Sequence, residues 1–150
     1  MAKGFNFGLI RRKLDQTKRV LPIALAKLTE NHFADAFKTG NLDENKWAEV
    51  NRRIVGTKEY KYPKKRGLSR RTSPILVRTG NLRRKTARST RIATWGMIKL
   101  VNSAPYAGYM NEGTDTVEAR PFMKQTDRLT TKQKKEIKNK KMSNKLIVGL

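Results

Sequence analysis

His32 is the only histidine in this chain, and there is no cysteine. A lone imidazole works as a general base only beside a nucleophile and an orienting acid, and the sequence carries a signature of neither. His32 falls at the aromatic-rich end of a helical pattern, where a structural role is expected. Metal ligation fares no better: there is no His pair at helical spacing, no thiolate and no Asp-rich calcium loop. Asp43-Glu44 and the Asp115/Glu118 pair are the acidic groupings of note. Neighbouring carboxylates can hold magnesium, but helix capping and loop solvation account for both pairs. No Gly-rich strand–loop–helix phosphate cradle is present. The expectation is a protein with no catalytic residues, no metal and no cofactor, and so not an enzyme.

What the chain holds in quantity is cationic chemistry. Its 35 Lys and Arg against 12 Asp and Glu give a formal charge of +23 at pH 7. Such a charge speaks of partners rather than of fold: packaged nucleic acid, an acidic protein surface or an anionic membrane. The densest run holds Lys58, Lys61, Lys64, Lys65, Arg66, Arg70 and Arg71 against Glu59 alone, with Tyr60 and Tyr62 interleaved. Pro63, Gly67 and Ser69 interrupt it. Residues 56–73 lack the apolar content to fold alone and read as an extended arm that orders on contact with a partner. Tyrosines among cations suit base stacking or an aromatic anchor at a protein interface. The candidate contacts are therefore Tyr60, Lys61, Tyr62, Lys64, Lys65, Arg66, Arg70 and Arg71. The plain alternative is a solvated charged loop. Neighbouring cations repel, however, and so many of them imply a compensating anionic partner.

The elements that must position these groups fit one domain over all 150 residues, with flexible segments at about 1–8, 56–73 and 140–150. Ile10, Leu14, Leu21, Leu25, Leu28 and Phe37 fall mostly at helical steps. Pro22 lacks an N–H, so either the helix kinks there or two helices meet. The favoured reading is a main helix over 21–38, closed by Gly40 as a left-handed cap. Trp47 and Val50 are expected to pack on its end from a short further turn of helix, with Asp43 and Glu44 in that first turn. Ile75-Leu76-Val77 reads as a short buried strand. Thr79-Gly80 then caps a one-turn helix that carries Leu82 inward. Residues 88–94 and 98–103 alternate as an antiparallel pair turning at Gly96. Pro105 ends the second of these strands, residues 106–112 form a short helix or turn, and Gly113 turns the chain. From Phe122 the pattern is helical and basic, with nine Lys or Arg from Lys124 to Lys145. Thr-Gly-Asn-Leu occurs at both 39–42 and 79–82, a coincidence of turn chemistry rather than a repeat. No apolar run approaches the length of a membrane span and no export leader is visible. Together with the absence of cysteine, this points to a reducing cytoplasm as the place of synthesis and to no membrane partner.

Read in order, Leu76-Val77-Arg78-Thr79-Gly80-Asn81-Leu82-Arg83, then Tyr106-Ala107, Asn111-Glu112-Gly113 and Arg120-Pro121-Phe122, resemble the virion morphogenesis family of tailed bacteriophages, the tail-completion and head–tail joining proteins. Phe33, Phe37 and Gly40 followed by Trp47-Ala48-Glu49-Val50 are similar to that family as well. The resemblance spans roughly residues 20–128. It implies an α+β domain, with a long N-terminal helix on a small antiparallel sheet, a basic extended arm and a C-terminal basic helix or tail. It further implies a homo-oligomeric ring in the virion, at the head–tail junction or the tail end. The neighbours would be portal, connector or tail-tube proteins, with packaged DNA as a further candidate contact. Glu112 stands out as an acid in a cationic chain: a structural role, such as pairing with Arg120 or an N-terminal turn, is the main expectation, and contact with a basic residue of the adjacent subunit is the sharper one. The alternative function is a free basic nucleic-acid-binding or packaging accessory protein, since neutralised phosphates release counterions. No helix-turn-helix, zinc finger or RNA-binding aromatic motif supports it.

Overall fold

The computed structural model describes residues 6–62 and 69–146. Helix α1 runs without interruption over Phe7–Thr39, 33 residues with Pro22 inside it. Its start is capped by Asn6, whose Oδ1 accepts from the Leu9 N–H at 3.0 Å. Its end is the left-handed Gly40 (φ 72°), whose N–H reaches the Ala36 carbonyl. Two helices do not meet at Pro22, and the main helix begins at Phe7 rather than at Leu21. A proline costs an interior helix about 3 kcal/mol, but Leu21 and Pro22 are the first buried residues of α1, and their packing offsets the lost hydrogen bond.

After Gly40 the chain forms a tight hairpin rather than more helix. Strand β1 (Asn41–Leu42) pairs antiparallel with β2 (Asn45–Lys46), in register Asn41↔Lys46 and Leu42↔Asn45. Asp43 and Glu44 are the turn between them, with Asp43 at φ 53°, so they do not open a helical turn. Trp47 follows in irregular chain and still packs on the end of α1, edge-on to Phe37 with ring centroids 5.6 Å apart. A 3-10 turn at Asn51–Arg53 leads to the short helices α2 (Lys58–Lys61) and α3 (Ser69–Thr72).

Ile75 is buried, but its segment is a turn and not a strand. The Val77 N–H bonds back to the Pro74 carbonyl, and Leu76 takes a positive φ of 60°. Among the described residues no strand pairs with it, and β-branched content alone supplies no hydrogen-bond partner. Helix α4 (Asn81–Thr86) follows Gly80 and buries Leu82, and the Thr79 hydroxyl accepts from the Asn81 N–H. Strands β3 (Thr90–Ala93) and β4 (Ile98–Leu100) form the second antiparallel hairpin, with a bulge between Thr90 and Ile92. This hairpin packs against α1. Helix α5 (Ala107–Glu112) comes next, and α6 (Asp127–Leu146) packs along α1 with Leu129 fully buried.

The architecture is thus α+β: one long helix, two small two-stranded sheets and a C-terminal helix. The core gathers at the C-terminal half of α1, where Phe33 and Phe37 meet Leu42, Trp47, Ile75, Leu82, Phe122 and Leu129. The two Thr-Gly-Asn-Leu copies end one helix and begin another. Their glycines take nearly the same φ, 72° and 71°, and both leucines are buried.

Candidate functional site

The basic run is fastened at both stems. Arg53 donates to the carbonyls of Arg71 (3.0 Å) and Ser73 (2.6 Å), and Arg52 donates to those of Ser73 and Pro74 (3.2 Å each). Arg71 donates to the Tyr60 carbonyl at 2.5 Å, and its guanidinium lies over the Tyr60 ring, 4.1 Å from the centroid. Thr57 caps α2 by accepting from the Tyr60 N–H, while its hydroxyl donates to Asn51 and Ile54. Tyr60 and Arg71 are therefore brought together as a cation–π latch and spent on holding the stems. The two stems thus carry short helices where no regular structure was expected. Lys61 and Tyr62 point outward next to that latch, Tyr62 with 73% of its surface exposed. Arg70 lies in α3, and Lys64, Lys65 and Arg66 lie outside the described residues. The clamp residues Arg52 and Arg53 went unrecognised in the sequence, because their targets are backbone carbonyls about twenty positions away and leave no local pattern.

Several residues of the 106–123 stretch converge with Trp47 on one knot. Asn111 Oδ1 accepts from the N–H groups of both Phe122 and Met123 at 3.0 Å. The Arg120 N–H bonds to the Met110 carbonyl, and its side chain donates to Ala48. Trp47 Nε1 donates to Pro121 across 74 positions, at 2.7 Å. Phe122 thereby enters the core against Phe37, with ring centroids 5.2 Å apart. Gly113 (φ 82°) lies so close to the returning chain that a Cβ would sit 2.9 Å from the Ala119 nitrogen. Asn81 adds a bond to the Tyr106 hydroxyl. Glu112, at the end of α5, is exposed, and the expected pairing with Arg120 is not made. The Arg120 guanidinium turns instead to Glu118 (4.0 Å) and the Ala48 carbonyl.

His32 anchors α6. Its Nε2 lies 3.2 Å from Asp43 Oδ2, and Lys132 Nζ lies 3.2 Å from its Nδ1. An ammonium only donates, so Nδ1 accepts, and Nε2–H donates to Asp43. Both ring nitrogens are occupied in the neutral tautomer. Burial pushes the pKa of His32 down, Lys132 and Arg128 push it further, and Asp43 only partly opposes them. Asp43 also accepts from the Thr126 hydroxyl and lies 3.9 Å from Arg128. The cleft beside it, about 310 Å³, is lined by Lys38, Arg128 and Lys132. All three are already engaged, with Asp35, Asp43 and His32 respectively. A second buried acid, Glu30, holds the hairpin to α1 by accepting from the Thr90 N–H at 2.7 Å, with Lys27 at 3.3 Å. Burial would raise its pKa, but those hydrogen bonds outweigh it and leave it lowered.

Among the described residues no group of three or more His, Asp or Glu could hold a metal ion, and no helix is long and apolar enough to cross a membrane. Large apolar side chains do remain exposed, notably Trp95 and Met97 at the tip of the β3–β4 hairpin and Leu9, Leu14, Val20 and Ile23 on α1. Comparison of the chain with protein-family models, curated proteins and solved structures finds no match.

Proposed function

We propose that this chain is a structural virion protein of a tailed bacteriophage. It forms a homo-oligomeric ring at the head–tail junction or tail end and joins the tail to the DNA-filled head without catalysis. The observation that carries this reading is the knot at Trp47, Asn111, Gly113, Arg120, Pro121 and Phe122. Trp47, Asn111, Arg120, Pro121 and Phe122, which are among the positions that resemble the morphogenesis family, are joined in one small region of the fold, as residues of a shared framework should be.

What that framework leaves outside supports an assembly role. Lys61 and Tyr62 at one loop stem, Trp95 and Met97 at the hairpin tip, and Leu9 and Leu14 near the start of α1 are all exposed. A closed ring needs two different surfaces on each subunit, and portal, connector or tail-tube proteins need others. The mechanism is assembly itself, with the loop cations Lys61, Lys64, Lys65 and Arg66 meeting an acidic neighbour or the DNA passing through the channel. The rival reading, a free nucleic-acid-binding protein, draws on the charge of +23. Against it, one face of Tyr60 is already covered by Arg71 and is lost to base stacking.

A phage genome encoding this chain, given an early stop codon in its reading frame, tests the proposal. DNA-filled heads and finished tails accumulating separately, and joining when purified protein is added, is the expected result. Normal infectious particles, or a block before DNA packaging, would overturn it.

A further inference from the structure

The β3–β4 hairpin has two unlike faces. Side chains alternate along a strand, so Ile98 and Leu100 share one face of β4, and Met97, Lys99 and Val101 share the other. Leu100 packs against the core and Glu30 holds the Thr90 N–H, which sets the first face inward. Met97, Lys99 and Val101 are all exposed. On β3, Thr90 pairs with Leu100 and Ile92 with Lys99, so Arg91 is the extra residue of a bulge. Two residues of a bulged strand oppose one on its partner, which places Arg91 and Ile92 across from Lys99. Arg91 is exposed as well. Thr94 and Met97 close the ribbon with two backbone bonds of 2.8 and 3.2 Å. Trp95 is left at the tip with 58% of its surface exposed.

This outward face is cationic with no acid near it in sequence. From Tyr60 to Asn111 the chain holds thirteen Lys and Arg and no Asp or Glu. Arg88, just before β3, is exposed like Arg91 and Lys99, and none of the three forms an ion pair among the described residues. Their arrangement discriminates between anionic partners. A face that meets acyl chains carries its cations at the rim of an apolar patch, whereas here Lys99 stands between Met97 and Val101. Protein interfaces deplete lysine, and charge generally, at their centre. Phosphate oxygens are met by Arg and Lys, and a duplex major groove about 12 Å wide admits a two-stranded ribbon. From Met97 to Val101 the outward face runs about 14 Å.

We propose that the outward face of the β3–β4 hairpin is a binding surface for double-stranded DNA. The ribbon lies in the major groove. Arg88, Arg91 and Lys99 meet backbone phosphates, while Met97 and the Trp95 ring at the tip pack on sugars and base edges. This goes beyond the ring reading and does not rest on it, since that reading stands on the knot around Asn111. The surface uses none of the loop cations Lys61, Lys64, Lys65 and Arg66, so it can be disabled alone.

Fluorescence anisotropy of a short labelled DNA duplex, titrated with the full chain over a series of KCl concentrations, tests this. Each phosphate contact contributes about 0.9 to the slope of log affinity against log salt. Arg91→Gln/Lys99→Gln is therefore expected to weaken binding and to flatten that slope by about 1.8, with unchanged circular dichroism. Lys135→Gln/Lys138→Gln removes the same charge from the exposed surface of α6 and is expected to leave the slope near wild type. Acrylamide quenching of the exposed Trp95 is expected to fall when the duplex is added. Equal flattening by the two double variants would mean diffuse attraction to a chain of charge +23 and would overturn the proposal. Trp95 as accessible in the complex as in the free protein would overturn it too, as would tighter binding to the matching single strand. Shielding of Trp95 by phosphatidylserine vesicles but not by the duplex would overturn it by assigning the tip to a membrane surface. None of these results touches the ring reading, which the early-stop phage decides.

Discussion

Replacing Asn111 by alanine removes the acceptor that Phe122 and Met123 share. Both N–H groups are partly buried, and leaving such a donor unsatisfied costs about 1–3 kcal/mol. Water can reach a partly buried site, so the lower end applies to each, and the variant should lose roughly 2 kcal/mol. For a chain of this size 1 kcal/mol shifts Tm by about 2–4 °C, which puts the drop at roughly 4–8 °C. Asn111→Asp keeps an oxygen at the same place and should fall by less than half as much at neutral pH. Urea unfolding followed by tryptophan fluorescence reads the effect directly. Trp47 is buried beside Pro121 whereas Trp95 is exposed, so a Trp95→Phe background isolates the core signal. An alanine variant within about 0.5 kcal/mol of wild type, the usual range for inert surface changes, would refute the assignment. So would an aspartate variant as unstable as the alanine one.

Gly113→Ala should destabilise by about 1–3 kcal/mol through its positive φ and the close approach to Ala119, a loss visible in the same urea titration. Stability should fall with acidification in two windows. His32 has a pKa held below 6.5 in the fold, so the unfolded chain takes up the proton first and stability declines as pH drops below about 6.5. The Glu30 pKa is held below 4.5, so its contribution is intact above that value and is lost as pH falls through the folded pKa. In a Tm profile, His32→Gln should remove the upper window alone. Neutralising Lys61, Lys64, Lys65 and Arg66 together should leave Tm nearly unchanged but block incorporation into particles. A large thermal loss would mean that these side chains belong to the fold.

Local chemistry made parts of this molecule legible. Gly40 and Gly113 announced turns because only a residue without Cβ takes those backbone angles cheaply. The alternation on either side of Gly96 announced the β3–β4 hairpin, and Leu82 was placed inward. Where two structures share a local signature, the sequence misled. Asp43-Glu44 suit a first helical turn and a hairpin turn alike, and the pairing of Asn41 with Lys46 decided it. Ile75-Leu76-Val77 resembled a strand because β-branched content says nothing about whether a second strand is near. Pro22 reads as a breaker until the burial that offsets it is known. The clamp of Arg52 and Arg53, the Trp47–Pro121 bond and the His32–Asp43–Lys132 chain join distant positions, and no spacing rule reaches across them. Of the basic run, Tyr60 and Arg71 are stem fasteners, while Lys61 and Tyr62 are exposed.

The copy number of this protein in purified phage particles, after a high-salt wash and nuclease treatment, tests the central claim most directly. A small fixed number per particle, equal to one or two rings of the oligomer that the pure protein forms, is the predicted result. Absence from washed particles, with the protein following nucleic acid through the lysate instead, would contradict it.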